Sequence, residues 1–126
     1  MKRMLLPLLA LLAIGTLAFA NASFVTGQVA LWCADLERAE QLAAEERWDE
    51  TLRTLDNLGS LWQRRATYFH IVIHHDEIDE AEGLLAETRA FAAAQHDAEF
   101  RASAARLASQ LQRLAEEEKL SLKNVL

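Results

Sequence analysis

The chain opens with Lys2 and Arg3 and then carries no charged residue from Met4 to Ala34, and Met4 to Ala20 within that run is strongly apolar. In water such a stretch would expose too much hydrocarbon, so its natural solvent is a bilayer. Cationic residues at its tip stay on the cytoplasmic side, which sends everything C-terminal to it across the membrane. Two fates fit this geometry. Ala18-Phe19-Ala20 has the small-x-small form at which signal peptidase cuts, which would release a product starting at Asn21. The apolar stretch is about 17 residues long, the lower limit for a spanning helix, and Ala22 to Val25 can lengthen it, which favours retention as a signal anchor. A lipoprotein anchor would need a cysteine at the end of the apolar run behind small residues. The single cysteine, Cys33, follows Leu31 and Trp32 instead. The expected division is therefore a signal anchor or signal peptide over residues 1–22 and an extracytoplasmic helical domain over 23–126.

The 126 residues suffice for one domain. Four glycines and one proline stand among abundant Ala, Leu, Glu and Arg, side chains that lose little freedom in a helix, so the expected class is all-α. The formal charge is −6, and without Lys2 and Arg3 the remainder carries −8. That balance excludes nucleic acid as a partner, because neutralising phosphates requires a basic surface.

Periodicity predicts an N-terminal membrane or signal helix followed by an antiparallel bundle of helical hairpins, four to five helices in all and tetratricopeptide-like at most. One stripe, Val29, Trp32, Cys33, Leu36, Ala39 and Ala43, marks a helix over about 28–46 that continues the membrane segment. A short helix from Trp48 carries Leu52, Leu55 and Leu58 and is expected to stop at Asn57–Gly59, with Ser60 capping the next. That third helix presents Leu61, Trp62, Phe69, Val72 and Ile73, and ends at His74-His75. A fourth starts near Asp76 and presents Ile78, Ala81, Leu85, Thr88 and Ala92, its first-turn acids favoured by the helix dipole. The last, over about 97–119, shows Phe100, Ala104, Leu107, Leu111 and Leu114 in a helix-pair seam. Trp48-Asp49-Glu50-Thr51 and Ile78-Asp79-Glu80-Ala81 match at an offset of thirty, a faint trace of stacked hairpins.

Chemistry has few candidates. His70 and His74 share a helix face at a spacing of four, and Glu77 or Asp76 could complete a divalent-metal shell. The competing account places the histidines at a helix C-terminus, where the dipole favours them. No phosphate loop, nucleophile elbow or Cys-His-Asp set can be drawn, so no catalytic residue and no cofactor is expected. Trp32, Trp48 and Trp62 could form an aromatic box, but each lies on an apolar stripe and is better placed in the core. Cys33 is expected in the core as well, with a bridge between two copies as the alternative. Leu120, Leu122, Val125 and Leu126 leave an apolar C-terminal tail that must dock or meet a partner.

Trp32, Trp48, Trp62, Tyr68, His74 ahead of Asp76 to Ile78, and the tail Ser121-Leu122-Lys123-Asn124 together resemble the bacterial domain-of-unknown-function family 4363, over nearly the whole chain. The resemblance implies a Gram-positive-type bacterium and a membrane-tethered exterior domain, and brings no activity with it. The expected function is a noncatalytic interaction module of the bacterial envelope. It would be held to the membrane by its first helix and would bind an envelope protein or further copies of itself. The alternative is a divalent-metal-binding envelope protein using His70, His74 and Glu77.

Overall fold

The computed structural model describes residues 2–125 and contains four helices: α1 (Lys2–Ala44), α2 (Trp48–Val72), α3 (His75–Ala93) and α4 (Asp97–Val125). Among the described residues there is no strand. Each helix packs antiparallel against its neighbours in sequence, and α4 closes back on α1, so the four form an up-down-up-down ring around one core.

The core is the set of stripes written in the sequence. Val25, Val29, Trp32, Leu36, Ala39 and Ala43 from α1 meet Phe100, Ala104, Leu107, Leu111 and Leu114 from α4, with Leu55, Leu58, Trp62 and Phe69 from α2 and Ile78, Ala81, Leu84 and Ala92 from α3 completing it. Spacing of three and four puts each set on one face of its helix. The α1 stripe begins lower than the core itself. Gly15 and Ala18 are the only residues among 2–20 that are partly covered, and they extend the three-four series through Ala22 into Val25 and Val29.

The sequence signals placed a helix break where there is none. Gly59 and Ser60 lie inside α2, and no glycine has a positive φ. A glycine inside a helix costs about 1 kcal/mol, whereas burying each of Leu55, Leu58 and Trp62 contributes about 1.5–3 kcal/mol. The stripe through these residues stays in phase across Gly59, and packing wins. The actual stops are at Glu46 (φ 61°) and Gln95 (φ 55°). At each, two amides close back on the helix: Glu46 N–H to Ala43 O and Arg47 N–H to Leu42 O, then Gln95 N–H to Ala92 O and His96 N–H to Phe91 O. This is the Schellman pattern with a non-glycine residue in the left-handed position. Both stops lie at one end of the bundle, where Trp48 packs edge-on against Phe100, ring centroids 5.7 Å apart.

The third turn lies at the other end. There α2 terminates at Ile73, whose extended backbone (φ −118°, ψ 150°) ends the helix while its side chain stays buried. The offset-thirty match therefore does not stack hairpins: Trp48 opens α2 at one end of the ring, and Ile78 sits in α3 near the opposite end.

Candidate functional site

Most of the aromatic side chains build core. Trp32 and Trp62 are 1% and 2% exposed, Phe69 is fully buried, and Trp62 stacks on Phe69 at 5.9 Å. No open aromatic box exists for a cation or sugar among these rings. Cys33 is half-buried against the core, and burial raises its thiol pKa, which disfavours the thiolate that begins oxidation.

The structure separates the three candidate metal ligands. His70 lies in the last turns of α2 with its Nε2 3.8 Å from Glu82 Oε1, and its ring lies 5.5 Å from that of His75. His74 occupies the turn ahead of α3. Glu77 is engaged elsewhere: its Oε2 and its backbone carbonyl both accept from Gln110 Nε2, at 2.7 and 3.1 Å. The helical spacing of His70 and His74 is lost because the chain leaves the helix at Ile73. Among the described residues no group of three or more His, Cys, Asp or Glu side chains converges as a metal shell.

Three interhelical polar links do the work that the sequence left unassigned. Trp62 Nε1 donates to Glu82 Oε1 at 3.0 Å and ties α2 to α3. Gln110 joins α4 to α3 through Glu77. The third link lies where α1 leaves the bundle: Tyr68 Oη donates to Asn21 Oδ1, and Asn21 Nδ2 donates to Glu118 Oε2 at 2.8 Å. Glu118 is only 9% exposed, and removal from water raises its pKa above the usual carboxylate range. Phe24 caps this link, edge-on to Tyr68 at 4.9 Å, with the Arg65 guanidinium 5.3 Å above its ring. Periodicity could not reveal the link, since its members are polar and stand 47 and 97 positions apart.

Among the described residues, two surfaces bear on what the protein could bind. Between α3 and α4 runs a cleft of about 560 Å³, with Asp76, Glu77 and Glu80 on one wall and Arg106 and Arg113 on the other. Gln110 forms part of its floor, so the cleft is polar and charged on both sides. The second surface is the outer face of residues 2–20, where Met4, Leu6 and Leu17 are 80%, 76% and 70% exposed. This first helix is long and apolar enough to cross a membrane or to act as a signal sequence.

Against known proteins, the family model described as Domain of unknown function (DUF4363) matches residues 29–125, most of the four-helix ring, beginning at Val29 within α1. No curated protein and no solved structure matches the chain.

Proposed function

The chain belongs to that family, whose description assigns no activity, and from its architecture we propose a membrane-tethered, noncatalytic interaction module whose bundle stands on the exterior face of the bacterial membrane. The observation that carries this reading is the continuity of α1. One unbroken helix of 43 residues passes from an exposed apolar half to a half buried on the bundle's core. Residues 2–21 span about 30 Å at 1.5 Å per residue, which equals the thickness of a bilayer's hydrocarbon. The first fully buried residue, Ala22, then falls at the membrane surface. Lys2 and Arg3 orient the helix with its start in the cytoplasm.

Retention rather than release is favoured by the Asn21 link. Cleavage after Ala20 would cut inside a helix whose next residue is hydrogen-bonded to both α2 and α4. The noncatalytic reading draws on what the polar side chains do: Glu82, Glu77, Gln110 and Asn21 are occupied in holding helices together. For a partner, the α3–α4 cleft is the natural seat, since its facing acidic and basic walls suit a segment of another envelope protein carrying both charges. A photo-crosslinking residue at the exposed Ser109 on the cleft should give a discrete adduct in living cells. Arg113→Glu should remove it. An adduct containing only this protein, or one unchanged by Arg113→Glu, would remove the hetero-partner reading.

A further inference from the structure

We infer that the C-terminal turns of α4, from Lys119 onward, form a second membrane contact, lying beside α1 in the interfacial layer of the leaflet from which the bundle emerges. The inference rests on the tether reading above and concerns a different element. It starts from helix register. Asn21 and Glu118 are hydrogen-bonded, and α1 and α4 run antiparallel. The groove between them higher up sets Thr26, Val29 and Cys33 opposite Lys119, Ala115 and Gln112, a register about six residues further along α4. Val125, the last helical residue of α4, then falls opposite Ile14 on the first register and opposite Ala20 on the second. On both, α4 passes the level of Asn21, by up to about 10 Å. Its last turn therefore reaches the segment of α1 that precedes Asn21, which is the apolar part.

Exposure along α1 agrees with this placement. Gly15 and Ala18, on the line of the stripe that α1 buries inside the bundle, are partly covered, while their neighbours from Lys2 to Ala20 are open. Small residues there let a second helix approach closely. Leu122 is partly covered, whereas Leu120 is 58% exposed and points away from the protein. An exposed leucine beside a membrane helix, opposite Phe19 on one register and Val25 on the other and so at the depth of the headgroups, finds its apolar neighbours in acyl chains. Lys119 and Lys123 are exposed on the same turns and can reach lipid phosphates from there. Continuity with α1 and this pairing of apolar with cationic side chains select lipid over a protein partner. Of the apolar tail identified in the sequence, Leu126 and the side chain of Val125 lie outside the described residues.

The test uses the full chain with Cys33→Ser, inserted into phosphatidylglycerol-containing vesicles, with a single fluorophore on Leu120→Cys, Leu12→Cys or Ala102→Cys. Helical content by circular dichroism confirms that each labelled variant folds. Lipids brominated near the top of the acyl chain should quench the label at 120 several-fold more than that at 102, and lipids brominated deep in the chain should quench the label at 12. Quenching at 12 with position 120 as open to water as position 102 would overturn the inference and leave the tether standing. Absence of quenching at both 12 and 120 would end both. Strong self-quenching between labels at 120 on separate copies, without lipid quenching, would assign the tail to a second copy and equally overturn it.

Discussion

A methyl group added at Gly59 would lie 4.0 Å from Leu85 Cδ2, an ordinary van der Waals contact, on a helix interior that every neighbouring residue wants continuous. Gly59→Ala should therefore stabilise the protein by about 0.5–1 kcal/mol, read as a rise of a few degrees in the thermal midpoint of the detergent-solubilised chain. A loss of stability would mean that the chain does turn at Gly59. Glu118 gives a test with a sign. Its folded pKa is raised by desolvation, so over the window between the unfolded value, about 4.3, and the higher folded value the folded state holds the proton more tightly. Stability from this group is present below the unfolded pKa and is lost as pH rises through the folded pKa. Glu118→Gln keeps an acceptor for Asn21 without the buried charge. Its stability relative to the parent protein should therefore grow between pH 4 and pH 7, and a difference that shrinks over that range would contradict the desolvated-carboxyl account.

The helices themselves were largely readable from the spacing of their apolar residues, because a stripe at three and four reports burial whatever the partner. Phe100, Ala104, Leu107, Leu111 and Leu114 are all buried on α4, as their pattern demands. Boundaries were less readable. Gly59-Ser60 has the chemistry of a helix stop, yet Leu58 and Trp62 on either side share one face and carry the helix through. The true stops use Glu46 and Gln95, which have no glycine signal at all. A non-glycine residue in the left-handed region costs about 1 kcal/mol. Glu46→Gly and Gln95→Gly should each recover about 0.5–1 kcal/mol in chemical denaturation, and the two effects should add because the stops belong to separate hairpins. The polar links lay out of reach for another reason: Tyr68, Asn21 and Glu118 meet only once the registers of α1, α2 and α4 are known, and no single-helix pattern encodes those. The spacing of His70 and His74 presumes one helix through both residues, whereas α2 ends before His74.

On the proposed placement the whole molecule is a rod with two solvents. The four-helix ring buries its stripes against one another in water, and one of its helices runs on for about 30 Å with nothing apolar of the protein's own to cover most of its surface. The exterior is acidic, −8 once Lys2 and Arg3 are set apart, and on the proposed placement it would repel an anionic membrane except where Lys119 and Lys123 stand. Exposed interhelical ion pairs such as Arg89 with Asp56 and Arg106 with Glu87 are screened by water and add little, so the ring is held by its core and its three buried or half-buried polar links. Everything assigned to the exterior depends on which side of the membrane that ring occupies. The deciding experiment is labelling of intact cells with a membrane-impermeant maleimide, using Ala102→Cys in a Cys33→Ser background, followed by separation of membranes from the medium. The label should appear without lysis and in the membrane fraction. Labelling seen only after the cells are broken would place the bundle in the cytoplasm and contradict the tethered exterior module.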